Sequence, residues 1–254
     1  MCLIAFAWRV HPVHDLVLAA NRDEFHARDT APLHAWPDAP GVVGGRDRQA
    51  GGAWCAADHR GRFAAVTNLR EPGAAGGPRS RGALVADYLA GRDRARDHAE
   101  AVRAQRHEFP GFNLLVGDAD DLFYLNNRDD AGVQGVTPGI HALSNGRWGD
   151  SWPKTERAAS ALRSALAPPD IDTDELLAML ADTTPAPDAA LPDTGVGLAT
   201  ERLLSPVFIR GEQYGTRAST VLLRGADGRM HMRERSFGPG GQPGGDVEQE
   251  WTWS

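Results

Sequence analysis

The sequence predicts a domain of the α+β class, in which β-sheets are covered by helices. The chain has 254 residues, 41% of them hydrophobic, so it can bury a sizeable core without disulfides. Its predicted elements run in the order strands, helices, strands, helices, strands, which is typical of layered α+β folds. Neither an internal repeat nor a linker divides the chain. We therefore predict that residues 1–254 form a single domain.

The first quarter of the chain is predicted to be mostly β-structure. Apolar runs separated by short polar turns indicate two hairpins, formed by residues 3–10 with 16–20 and by residues 53–56 with 63–68. Between these hairpins, the glycine pairs at 44–45 and 51–52 bracket a polar loop.

The rest of the chain alternates helices with strand pairs. Helical composition and spacing predict helices over 81–89, 94–106, 153–166 and 172–180. Ser151 is the expected N-cap of the third of these, with Pro153 in its first turn. Strand pairs are predicted at 112–116 with 122–126 and at 214–224 with 229–235. Residues 238–245, with five glycines and two prolines, are predicted to form a mobile loop.

Composition excludes several classes of function. The net charge of −7 argues against a broad nucleic-acid surface, and no stretch approaches the ~20 apolar residues of a membrane-spanning helix. The nine histidines form no His-Glu-x-x-His, and the two cysteines form no Cys-x-x-Cys, so no metal site is predicted. The first residues carry neither a charged leader nor a cleavage site, which leads us to expect a cytoplasmic protein.

Cys2 is the first candidate for chemistry because it directly follows the initiator methionine at the head of a strand. If the methionine is removed, one residue carries both a thiol and an α-amine, whose pKa of about 7.7–8.0 suits a general base. This is the arrangement of an N-terminal nucleophile. The structural alternative is a small apolar residue at a strand start.

Polar residues also interrupt or end several apolar strands. The tetrad Asn21-Arg22-Asp23-Glu24 follows the second strand, and side-chain alternation would place Asn21 with Asp23 on one face and Arg22 with Glu24 on the other. Asn68 and Asn145 each follow an apolar strand, either as turn residues or as part of a site. Arg217 enters an apolar strand and must be paired or lie in a wet cleft.

Lys154 is the only lysine among 27 basic residues. Ser151-Trp152-Pro153-Lys154 fits the Ser-x-x-Lys pattern of penicillin-binding enzymes, but their second motif, Lys-Thr-Gly, cannot occur where no other lysine exists. A helix start explains Ser151 better.

Taken together, these motifs resemble the NRDE family, the family of transport and Golgi organisation protein 2. The resemblance runs from residue 2 to about residue 237. It rests on motifs that occur in the same order in this chain: Met1-Cys2-Leu3-Ile4, Asn21-Arg22-Asp23-Glu24, Gly44-Gly45-Arg46-Asp47, Gly51-Gly52 with Trp54, Thr67-Asn68, Leu143-Ser144-Asn145, Trp152-Pro153-Lys154, Tyr214-Gly215-Thr216-Arg217 and Glu234-Arg235-Ser236-Phe237.

The resemblance implies a four-layer αββα sandwich similar to the N-terminal nucleophile hydrolases, which include penicillin V acylases and bile salt hydrolases. It also implies a catalytic set, with Cys2 as the nucleophile and supporting roles for Asp23, Asn68, Asn145 and Arg217. Arg217 would lower the thiol pKa, and Asn68 would donate to the oxyanion. Asn21 and Arg22 are the candidates for substrate binding. The related pattern has Arg-x-x-Asp, whereas Arg22 and Asp23 are adjacent here.

The expected function is hydrolysis of C–N amide bonds in a small or acyl-bearing substrate. Members of the family have also been linked to haem trafficking and to acyl-CoA or lipid metabolism, so a carrier of haem or of an acyl-lipid is the alternative. We expect that no cofactor is required, with haem as an alternative ligand, and that the partner is a small or lipid-like molecule.

Overall fold

A computed structural model describes residues 2–74 and 76–253. Among them are thirteen strands: β1 (Cys2–Trp8), β2 (His14–Phe25), β3 (Thr30–Ala35), β4 (Val42–Asp47), β5 (Cys55–Asp58), β6 (Phe63–Asn68), β7 (Phe112–Gly117), β8 (Leu122–Asn126), β9 (Gln134–Gly135), β10 (Gly139–Leu143), β11 (Tyr214–Gly225), β12 (Arg229–Phe237) and β13 (Pro243–Thr252). The α-helices are α1 (Gly82–Ala90), α2 (Ala95–Ala104), α3 (Pro153–Ala165), α4 (Thr173–Met179) and α5 (Leu198–Leu204).

The strands form two antiparallel sheets that pack face to face. The first has the order β10-β1-β2-β11-β12-β13, and the second contains β3 to β9 in chain order. One apolar cluster fills the space between the sheets, a second lies between the second sheet and helices α1 and α2, and a third lies between the first sheet and helices α3 and α4. The predicted four-layer αββα sandwich is therefore confirmed.

Strand β1 shows why both faces of the first sheet are apolar. Alternate residues point to opposite faces of a strand. Ile4 and Phe6 pack between the sheets, whereas Leu3 and Ala5 pack against the helices. A strand covered on both sides favours apolar residues at successive positions, and this produces the continuous apolar run of the sequence.

The last part of the chain differs from the sequence prediction. Residues 238–242 of the predicted mobile loop lie outside strands, and Pro239–Gly241 among them form a short 3-10 helix. From Pro243 the chain pairs with β12 as the edge strand β13. Proline and glycine are compatible with an edge strand because one side of its backbone needs no partner strand. The prediction of a loop is therefore wrong for residues 243–245.

Helix α3 begins as predicted but is capped differently. Its N-cap is Trp152, not Ser151. The Thr155 hydroxyl accepts a hydrogen bond from the Trp152 N–H at 3.1 Å, whereas the Ser151 hydroxyl donates to Glu156. Helix α5 and the strands β3 and β4 were not predicted, and β4 contains the first glycine pair. Within residues 2–74 and 76–253, no helix combines the length and apolar character needed to cross a membrane.

Gly45 allows close packing between β4 and the indole of Trp54. A Cβ at this position would lie 2.3 Å from the Trp54 ring. We expect Gly45→Ala to lower the free energy of unfolding by roughly 1–3 kcal/mol, as is typical of overpacking. Urea denaturation followed by circular dichroism measures this change.

Gly245 provides the matched control, since a Cβ there would meet no atom within 4 Å. We expect Gly245→Ala to leave the stability within about 0.5 kcal/mol of the wild type. Equal effects of the two substitutions would contradict the proposed clash.

Candidate active site

Cys2 lies at the end of the first sheet and faces the space between the sheets. It is paired with Arg22 of β2, and directly opposed residues in antiparallel strands share a face. Both side chains line a cavity of about 360 Å³, here called the first cavity. Asp23, Asn68 and Arg81 also contribute to its wall.

The pKa of the Cys2 thiol is raised, and burial is the main cause. The Asp23 carboxylate raises it further. The positive charge of Arg22 and a hydrogen bond from the Asp23 backbone N–H to the sulfur act in the opposite direction, because both favour the thiolate. Attack by this thiol at neutral pH therefore needs a base to take its proton.

Asp23 is buried on the helix-facing side of β2, where the Thr216 hydroxyl donates a hydrogen bond to its Oδ1 at 2.7 Å. Burial raises the pKa of its carboxyl, while the positive charge of Lys154 and the Thr216 hydrogen bond lower it. Tyr214 donates its hydroxyl to the Asp23 main-chain carbonyl at 3.1 Å. The carboxyl is thus held beside the start of β1 by contacts from β11.

Asn68 brings the second sheet to the cavity that Cys2 lines, since it is the last residue of β6 and lines the same cavity. Asn145 does not line this cavity. Its Nδ2 instead donates to the Asn68 carbonyl at 2.9 Å, and the neighbouring Ser144 hydroxyl donates to the Cys2 carbonyl at 2.9 Å. Asn145 therefore positions the backbone of Asn68, and Ser144 positions that of Cys2.

The structure places Arg217 outside the first cavity, in contrast to the expected position beside the thiol. The pairing of β11 with β2 shifts between Thr216 and Ala218, so Arg217 is the extra residue of a β-bulge. Its Nη1 donates to the main-chain carbonyls of Phe25 and Arg28, at 3.1 and 2.5 Å. Arg22, not Arg217, is the arginine opposite Cys2.

Asn21 is also outside the first cavity. It faces the helices, where its Nδ2 donates to the carbonyls of Leu180 and Val207 at 2.8 Å each, and its Oδ1 accepts from Ser219 at 2.6 Å. These contacts connect β2 to β11 and to the segments that follow α4 and α5. The other proposed substrate-binding residue, Arg22, lies in the cavity and stacks over Trp54, with its guanidinium carbon 4.5 Å from the ring centroid.

In the described part of the chain, one group of side chains could hold a metal ion. His231, Glu248 and Glu250 offer ligand atoms within 4.8 Å of one another on β12 and β13. Both carboxylates are exposed, and none of the three residues lines the first cavity.

Comparisons with known proteins identify the family of this chain. The sequence profile described as Transport and Golgi organisation 2 matches residues 1–239. The chain belongs to this family. A Transport and Golgi organization protein 2 homolog from Bos taurus is 32% identical, and one from Homo sapiens is 32% identical; each match covers 93% of this chain and 93% of the relative.

Two solved structures share the fold of this family member at low sequence identity. One is a Caenorhabditis elegans ortholog of N-acylethanolamine-hydrolyzing acid amidase, with a TM-score of 0.53 and 12% identity, covering 87% of this chain and 92% of that one. The other is the C2A mutant of conjugated bile acid hydrolase from Clostridium perfringens, with a TM-score of 0.54 and 10% identity, covering 100% of this chain and 97% of that one. The likeness establishes the fold.

Sequence analysis did not identify Lys154 and Arg81 as part of this site of the family member. Lys154 is buried in the first turn of α3, where its Nζ donates to the Leu204 carbonyl at 3.1 Å and its charge interacts with Asp23 and Cys2. The one feature of the sequence that set Lys154 apart is that it is the only lysine. Arg81 lines the first cavity just before α1, and nothing in the sequence distinguished it from other helix-flanking arginines.

Replacing Arg22 tests the electrostatics of the thiol. We expect Arg22→Gln to raise the pKa of Cys2, because the substitution removes a positive charge that favours the thiolate. Alkylation of Cys2 by iodoacetamide would then be several-fold slower at pH 8, and its pH profile would move to higher pH. Peptide mass spectrometry measures the rate at Cys2.

Arg163→Gln is the control for this experiment, since Arg163 is an exposed residue in the last turn of α3. We expect its profile to match the wild type. A larger shift from Arg217→Gln than from Arg22→Gln would contradict the placement of these two arginines.

Replacing Lys154 tests its influence on Asp23. We expect Lys154→Met to raise the pKa of the Asp23 carboxyl further, because the lysine charge lowers it in the native protein. A carbon-13 NMR titration of the aspartate carboxyls measures this change. Arg157→Met removes a charge from the same helix and should have a smaller effect, whereas equal titrations in all three proteins would exclude the interaction.

Proposed function

We propose that the chain is an N-terminal-cysteine hydrolase that acts on C–N amide bonds of a small or acyl-bearing substrate. The observation that carries the proposal is the convergence of Cys2, Arg22 and Asn68 on one cavity, although they come from β1, β2 and β6 of two different sheets. The proposal requires removal of Met1, which lies outside the described residues.

In the proposed reaction, the Cys2 sulfur attacks the amide carbonyl and its proton passes to the Cys2 α-amine. The raised thiol pKa makes this nearby base necessary. The Asn68 side chain would donate to the oxyanion, and the Asp23 carboxyl group would orient the amine. The amine then protonates the leaving nitrogen, and water hydrolyses the thioester.

The names of the structural neighbours support this type of reaction. Both are described as hydrolases, and one of them as an amidase. The C2A variant of the bile acid hydrolase has its substitution at position 2, the position of the cysteine in this chain. Because the identities are 12% and 10%, we use this likeness to choose the reaction type and not the substrate.

A carrier of haem or of an acyl-lipid is the alternative function. It predicts an apolar pocket in which one thiol or imidazole matters as a ligand. The wall of the first cavity instead carries four arginines, at positions 22, 28, 79 and 81. This charged lining favours a polar substrate and makes hydrolysis the leading proposal. A haem titration without a saturable absorbance change would remove the haem version.

Intact mass spectrometry combined with brief alkylation tests the proposed nucleophile. We expect the native protein to lack the initiator methionine and to be alkylated at Cys2 and not at Cys55. Cys55 is buried, and burial raises its thiol pKa to about 12. Retained methionine together with an unreactive Cys2 would refute the hydrolase proposal.

Substitution at the oxyanion position tests the mechanism once an amide substrate has been found by screening. We expect Asn68→Ala to lower kcat by roughly 100–1,000-fold, as loss of one oxyanion donor does in other hydrolases. Cys2→Ala should abolish turnover. Ser160→Ala, at an exposed position in α3, serves as the control and should leave kcat unchanged.

A further inference from the structure

A second cavity lies beside the first and is built from different residues. It has a volume of about 280 Å³, well above the ~10–15 Å³ that one water molecule requires. Its wall includes Arg217 and Ala218 of β11, Glu234 and Ser236 of β12, and Thr30 of β3. The proposed hydrolysis uses none of these side chains.

The two cavities lie along one row of the first sheet. Cys2 is opposite Arg22, Arg22 is opposite Ala218, and Ala218 is opposite Ser236, so all four side chains share the face between the sheets. Since neighbouring strands are ~4.8 Å apart, Ala218 lies about 10 Å from Cys2. The second cavity is thus two strands away from the thiol.

Arg22 forms the wall between the cavities. It lines the first cavity, and its Nη1 donates to the Thr30 hydroxyl, which lines the second, at 3.3 Å. Its other neighbours are the ring of Trp54 and the carboxylate of Glu24, which is 3.9 Å from its Nη2. Arg22 therefore contacts residues of both cavities.

Arg217 gives the second cavity a fixed positive charge. Its Nη1 is anchored by the carbonyls of Phe25 and Arg28, and no carboxylate of the described residues lies within salt-bridge distance of its guanidinium. A planar guanidinium held in this way suits a carboxylate group. The hydroxyls of Ser236 and Thr30 line the same cavity as further polar groups.

Glu234 restricts the charge of the ligand. It is buried, and its carboxyl accepts hydrogen bonds from the Leu33 N–H at 2.8 Å and from the Thr220 hydroxyl at 3.2 Å. Burial raises its pKa to about 7, so the carboxyl is partly ionised at neutral pH. A doubly charged phosphate would be repelled more strongly here than a singly charged carboxylate.

We infer that the second cavity is a carboxylate-binding subsite for an elongated ligand whose other end reaches Cys2 past Arg22. This inference deepens the proposed function, because it specifies a substrate with a carboxylate about 10 Å from the scissile amide. Binding can nevertheless be measured without turnover, so the two proposals can fail separately.

Octanoate is a suitable probe because it combines one carboxylate with an extended chain. We expect saturable binding to the full-length protein in isothermal titration calorimetry, and slower alkylation of Cys2 when octanoate is bound. Butanoate should bind without slowing alkylation, because its chain is too short to pass Arg22. Octanol and methyl phosphate should bind at least tenfold more weakly than octanoate.

Variants locate the carboxylate. We expect Arg217→Gln to weaken octanoate binding at least tenfold, and Arg163→Gln to leave it unchanged. Val247→Phe fills the second cavity from β13 without changing any charge, and it should also weaken octanoate binding. This variant replaces Arg217→Gln as the test if Arg217→Gln does not fold. Circular dichroism checks the fold of each variant.

Three results would overturn the inference. The first is the absence of saturable octanoate binding to the wild type. The second is binding that depends on Arg81 in the first cavity and not on Arg217. The third is binding at Arg217 that leaves the alkylation rate of Cys2 unchanged, since the two cavities would then not share one ligand. If octanoate behaves as expected but no amide is cleaved, the hydrolase proposal fails and the subsite remains.

Discussion

The buried side chain of Asn113 holds the two sheets together at the end of the molecule where Cys2 lies. Its Oδ1 accepts hydrogen bonds from Tyr124 and Asn126 of the second sheet, at 2.6 and 2.8 Å. Its Nδ2 donates to the carbonyls of Ser144 and Gly146, which follow β10 of the first sheet. An unpaired polar group in such a position costs ~1–3 kcal/mol, so the network tolerates few other arrangements.

The geometry of the site follows from this connection. Ser144 and Asn145 lie directly after β10, and they reach the carbonyls of Cys2 and Asn68 respectively. Asn113 thus fixes the segment that connects Cys2 with Asn68. Asn113, Ser144 and Asn145 do not line the first cavity. Their hydrogen bonds nevertheless set the distance between Cys2 and Asn68, which do line it.

Burial dominates the electrostatics of the site. It raises the pKa of both Cys2 and Asp23, and it lowers that of Lys154, so each group is pushed toward its neutral form. The opposing influences come from neighbouring charges, Arg22 for the thiol and Lys154 for the carboxyl. A reaction at neutral pH would depend on moving one proton among these groups more than on a permanently ionised nucleophile.

The sequence by itself determined the fold class, most of the strands and helices, and the candidates Cys2, Asp23 and Asn68, because apolar periodicity and polar interruptions are local patterns. The sequence did not predict features that depend on contacts between distant parts of the chain. The edge strand β13 exists only because β12 offers a partner, and a bulge in β11 sends Arg217 into a separate cavity. Arg22 faces Cys2 because β1 and β2 pair in one register, and Lys154 acts on Asp23 across two layers. Pairing register and packing between layers are properties of the assembled chain, so only the tertiary structure could assign these four roles.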